Sequence, residues 1–146
     1  MFADFLKRLA QPAPAPMNGP DARLALTALL VRVARSDGRY DPDEITRIDR
    51  IAATRYRLDP AGAQDLRCQA EQLEAEAPDT VRFTRAIKDA VAYDDRIGVI
   101  EALWSVVLAD GVRDQHEDAL LRMVSNLLGI NDRDSALARQ RVEKAG

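Results

Sequence analysis

Cysteine, histidine and tryptophan occur once each in this chain of 146 residues, and aromatic residues make up only 5% of it. The lone Cys68 excludes an internal disulfide and any thiolate cluster for zinc, and it suits a reducing compartment. As a small apolar side chain it needs no further role. No stretch approaches the roughly 20 apolar residues of a membrane span, and the opening MFADFLKRLA has no apolar run long enough for a signal-peptide core. The expected location is the cytoplasm. There is no Ser-His-Asp or Cys-His set, no glycine-rich phosphate loop and no pair of histidines at metal-binding spacing, so enzyme chemistry is not expected. Nor is nucleic-acid binding, because the net charge of −3 and a pI near 5.2 lack a basic footprint. Sustained alternation of β-branched residues is missing as well, so no strand is expected.

What remains is the composition of a helical protein. Apolar residues make up 47% and charged residues 31%, and the length is enough to bury a core without disulfides or a structural metal. Residues 1–20 read as a short helix followed by a Pro/Ala linker, QPAPAPMNGP, in which proline disfavours helix. In residues 2–10, Phe2, Phe5, Leu6 and Leu9 fall on one side and Asp4, Lys7 and Arg8 on the other, a pattern for docking onto the domain or for peripheral association with a membrane. The folded domain is expected over residues 21–146, as a compact all-α bundle of about seven helices.

Two segments stand out as apolar on most sides, 22–36 and 97–109, and both end in Asp-Gly. Each should be a helix buried by neighbours all round, with Val33, Val106 and Trp104 inside. The segments that follow carry a single apolar stripe: Ile45, Ile48, Ile51 and Ala52 in one, and Leu120, Leu121, Val124, Leu127 and Leu128 in the other. Further helices are expected over 60–76, with Leu66, Ala70 and Leu73 inward, over 79–92, with Val81, Phe83, Ile87 and Val91 inward, and over 131–145. Asp94 and Asp95 read as a helix cap.

The chain repeats itself. ARSDGRYDPDEITRI and LADGVRDQHEDALLRM superimpose over an acidic loop of the form Asp-Gly-x-x-Asp-x-x-Glu without a gap. Asp37, Gly38, Asp41 and Glu44 match Asp110, Gly111, Asp114 and Glu117, each pair separated as 110 is from 37. The bundle is therefore built from two related halves, each with a buried helix, an acidic loop and an amphipathic helix.

Much of the motif is helix punctuation. Gly38 and Gly111 fall where a helix end takes a left-handed residue. Asp41 and Asp114 fall at an N-cap, with Pro42 at the first helical position of the first copy. Glu44 and Glu117 complete a capping box. Asp37 and Asp110 are not explained this way, because they add negative charge at the negative end of a helix dipole. A cation or an arginine would offset that charge. The spacing also matches the second half of an EF-hand loop, but Val33, Arg35, Val106 and Leu108 stand where its first half needs acids. All-oxygen ligands would select calcium, magnesium or manganese over zinc. His116, inside the second loop, reads as an exposed bystander.

These two motifs resemble those of the TerB-like family of tellurite-resistance proteins, in which Ala-Asp-Gly is followed at fixed spacing by Glu once in each half. ALWSVVLADGVRDQHEDALLRMVSNLLGI is similar to that family's second motif nearly throughout, while LLVRVARSDGRYDPDE departs from the first by carrying Ser36 in place of alanine. The resemblance covers roughly residues 21–131. It implies a compact helical bundle, no established catalytic activity, and binding of divalent cations or partners.

Two functions follow as expectations. One is a non-enzymatic protein-interaction module, in tellurite- or stress-response complexes. The alternative is a divalent-cation site on Asp37, Asp41, Glu44, Asp110, Asp114 and Glu117. Arg32, Arg35, Arg39, Arg47, Arg50, Arg55 and Arg57 form a further cluster, read here as a solvated face interleaved with nearby acids.

Overall fold

The computed structural model of the chain describes residues 3–9, 19–36, 38, 40–77, 79–108 and 115–145, without the side chains of residues 5, 8, 9, 19, 115–118 and 145. Among the described residues every regular element is an α-helix: α1 (Ala3–Leu9), α2 (Gly19–Ala34), α3 (Pro42–Tyr56), α4 (Pro60–Glu76), α5 (Thr80–Ala90), α6 (Tyr93–Val107), α7 (Gln115–Leu127) and α8 (Asp132–Ala145). The seven helices expected after the linker are α2 to α8. The linker expected at residues 11–20 lies mostly outside the described residues, and α2 begins at Gly19, slightly ahead of the expected Asp21. Helix α1 lies against α5, and its Leu6 packs on the core.

Local chemistry sets the helix boundaries. Asp41, Asp59, Asp79 and Asn131 each precede a helix and accept a hydrogen bond from the backbone amide three residues on, at 3.0, 2.7, 3.0 and 2.8 Å. Each satisfies a donor that the first helical turn leaves unpaired. Pro42 and Pro60 open α3 and α4, where a missing amide hydrogen costs nothing. Helix α6 differs. Its N-cap is Ala92, which offers no side-chain bond, and Asp94 and Asp95 sit inside the first turn. They favour the positive end of the helix dipole by charge and are not the side-chain cap expected from the sequence.

The core is centred on α2 and α6. Every residue from Leu24 to Val31 is buried, followed by Val33 and Ala34, and α6 buries Val99, Ile100, Leu103, Trp104, Val106 and Val107. Each large aliphatic side chain buried this fully contributes about 1.5–3 kcal/mol. The one-sided helices bury less: α3 hides Ile48 and Ala52, and α7 hides Leu121 and Val124, with Leu128 buried in the turn after it. Val81, expected inward on α5, is exposed, because it sits two residues before the Phe83–Ile87 stripe and so on another side of the helix.

The repeat extends further than its motif. In the first half α2, α3 and α4 pack on one another, and in the second α6, α7 and α8 do the same, with α5 between the halves and α2 against α6. Both middle helices end alike. Leu58 N donates to Ala53 O at 3.0 Å after the left-handed Arg57, and Ile130 N donates to Ser125 O at 2.8 Å after the left-handed Gly129. Such bonds close the last turn of a helix. The acidic loops are 73 positions apart, as 110 is from 37, but these helix ends are only 72 apart, as 129 is from 57. The second copy has one residue fewer between its loop and its turn.

Candidate functional site

The first acidic loop leaves α2 through a tight exit. Ser36 N donates to Val33 O, Gly38 N donates to Arg35 O, and Gly38 takes a φ of 80°. That conformation suits glycine, because a Cβ would crowd the following carbonyl. Asp41 then caps α3, and Glu44, in the first turn, is buried at 1% exposure beneath it. Asp41 is half-buried. Asp37, Asp110, Asp114 and the side chain of Glu117 lie outside the described residues, as do Gly111 and the side chain of His116. The convergence of the two loops is therefore not described. Among the described residues no three His, Cys, Asp or Glu side chains gather into a metal-sized group.

Two of the arginines expected on a solvated face, Arg32 and Arg35, are instead drawn to α4, while Arg50, Arg55 and Arg57 are exposed as expected. Glu74 takes Arg32 at 3.1 Å and Arg35 at 2.9 Å, and Arg32 Nη2 also donates to the Glu74 carbonyl. Arg67 bridges Asp49 on α3, at 2.6 Å, and Glu71 one turn along its own helix, at 3.1 Å. Tyr40, at the end of the loop, donates to Glu71 at 2.7 Å. Burial disfavours the charge on Arg67, but hydrogen bonds and attraction to Asp49 and Glu71 outweigh it and hold the guanidinium protonated beyond its usual range. Burial, the hydrogen bond to Glu71 and the charge of Glu71 push the Tyr40 phenol above its ordinary value. Sequence spacing could not find the pairs across helices, whose partners lie 18 to 42 residues apart; only Arg67 and Glu71, at i,i+4 on one helix, are neighbours in sequence.

A second feature went unread in the sequence. Where α7 and α8 lie over α6, they leave an open groove of about 360 Å³. Trp104, Ala119 and Ala136 make its apolar floor. Arg122, Asp132, Ser135 and Arg139 supply its polar lining. Trp104 Nε1 donates to Ser135 Oγ at 3.2 Å, and the Arg139 guanidinium lies over the Trp104 ring, 5.6 Å from its centre. Ser135 Oγ is also 3.4 Å from the buried Ser125 Oγ. Trp104 is thus core, as its helical setting predicts, and also the wall of a surface groove. The small residues at 119 and 136 leave the opening. A smaller depression of about 210 Å³ beside Asp43, Thr46, Arg47 and Arg50 lies on the outer side of α3.

No helix among the described residues is long and apolar enough to cross a membrane. Comparison with curated proteins and with solved structures finds no match. A family model described as tellurite resistance protein TerB matches residues 23–140, which spans both halves of the bundle and both acidic loops. With its duplicated Asp-Gly motif and its all-helical fold, the chain belongs to the TerB family of tellurite resistance proteins.

Proposed function

We propose that this TerB chain acts without catalysis, as a cytoplasmic helical module that binds other proteins in tellurite- or stress-response complexes. The observation that carries this reading is the α6–α7–α8 groove, whose apolar floor opens to solvent. On α7 it is continued by Met123, one turn beyond Ala119 and 39% exposed. Large apolar side chains grouped on one surface favour partner binding, because covering them removes apolar area from water. Many of the described charged groups elsewhere are engaged with one another, as in the Arg32–Arg35–Glu74 and Asp49–Arg67–Glu71 clusters.

The test is photo-crosslinking in the host cell, with benzoylphenylalanine at position 123 and, as a control, at the exposed Gln64 on α4, which packs on α2 and α3. A discrete adduct from position 123 and none from position 64 is expected. No adduct, or the same adducts from both positions, would overturn the reading.

A second reading is a divalent-cation site on the two acidic loops, taking calcium, magnesium or manganese. It is favoured by the burial of Glu44 below Asp41, which is deeper than capping alone requires. Replacing Asp41 by alanine and by asparagine, with and without divalent cation, separates the two readings.

A further inference from the structure

The groove carries a chemical preference. Its floor is apolar, and its charged lining is two cations, Arg122 and Arg139, against one acid, Asp132, in a chain whose net charge is −3. Arg122 holds Asp132 at 3.3 Å, but both side chains are well exposed, at 72% and 59%. An exposed pair of this kind is weak and exchanges readily for a better-placed carboxylate. Arg139 is positioned more firmly, by Glu143 at 3.4 Å and by the Trp104 ring beneath it. Met123 lies one turn beyond Ala119 on α7 and continues the apolar floor along the helix.

We infer that the α6–α7–α8 groove receives an acidic protein segment, whose aliphatic side chain covers Trp104, Ala119 and Ala136 while its carboxylates meet Arg122 and Arg139. This rests on the interaction-module reading and names the partner's chemistry. The occupant is negative because the two guanidiniums outnumber the single carboxylate of Asp132, and it is apolar at its centre because Trp104, Ala119 and Ala136 make the floor and Ser135 beside them is already engaged by Trp104. Binding at this surface weakens with salt, since its charged contacts are exposed.

Trp104 is the sole tryptophan and lines the groove, so its fluorescence reports occupancy directly. The probes are a tryptophan-free amphipathic peptide of leucine and glutamate, the same peptide with lysine for glutamate, and phosphatidylglycerol vesicles. The full chain is expected to show a saturable change with the glutamate peptide and none with the others. Arg122→Glu, at an exposed position that leaves the fold intact, should weaken that binding about tenfold and admit the lysine peptide. Arg139→Gln should weaken it in the same direction.

Equal responses to both peptides, a response to vesicles alone, or unchanged affinity in Arg122→Glu would overturn the inference. So would a signal that changes on dilution without peptide, which would assign the groove to a second copy of the chain. A discrete crosslink at position 123 without acidic preference would overturn this inference and leave the module standing; loss of both would remove the module as well.

Discussion

Replacing Asp41 separates a structural loop from a ligand-binding one, because alanine and asparagine remove different properties of the same side chain. Asp41→Ala deletes the acceptor that lies 3.0 Å from the Glu44 amide and leaves that donor unpaired at the start of α3. Such losses cost about 0.5–2 kcal/mol, which for a chain of this length lowers Tm by about 2–6 °C. Asp41→Asn keeps the acceptor oxygen and the extended N-cap backbone, and gives up only the charge, worth about 0.3–1 kcal/mol against the helix dipole. Thermal melts of wild type and both variants are followed by circular dichroism, in chelator and in millimolar calcium, magnesium or manganese. If the loop is structural, alanine falls, asparagine stays near wild type, and the cation moves none of them. A bound cation at a hundred times its Kd would instead add about 2.7 kcal/mol to the wild type, and asparagine would lose that gain while matching the wild type in chelator. An asparagine variant as unstable as the alanine one would refute the capping argument itself.

The two helix ends offer a natural internal control: Arg57→Gly should raise stability by about 0.5–1 kcal/mol and Gly129→Ala should lower it by at least as much in denaturant melts, since both positions take a left-handed φ, of 55° and 78°. A Cβ at 129 would also meet Arg96 and Lys88 side-chain atoms at 3.1 Å, so equal stability of both variants would contradict the assignment. All three tyrosines have phenols raised above the ordinary value of 10, Tyr40 and Tyr56 chiefly by burial and Tyr93 chiefly by its bond to Asp134. Their stabilisation is then full below pH 10 and lost as pH rises through the folded values; phenolate absorbance should stay low at pH 10 in the folded chain, and Tyr40→Phe should flatten the alkaline loss of stability.

Helices were legible wherever a short-range rule fixed them. The continuous apolar runs of α2 and α6 demanded burial on most sides, and Asp41 with Pro42 marked the start of α3 three residues ahead of Glu44. The duplicated loop was readable for the same reason, since it is a local pattern met twice. What stayed hidden depends on which helices face each other. Glu74 is an ordinary acid in sequence, and it becomes the partner of Arg32 and Arg35 only once α4 lies on α2. The groove over Trp104 depends on alanines at 119 and 136, which in sequence merely favour helix. The cap assigned to Asp94 and Asp95 failed by about two residues, because α6 starts at Tyr93 and spends those acids on its dipole.

The clasp at Glu74 also ties two bends of the chain together. Arg35 is the last hydrogen-bonded turn before the acidic loop, and Glu74 is the last turn before the bend at Ala77 that leads into α5. Arg32 grips the carbonyl of the same residue at 3.1 Å, so side chain and backbone are held together. Two reversals of the chain, forty residues apart, thus share one latch. Fraying at either is therefore expected to raise the exchange of amide hydrogens at the other.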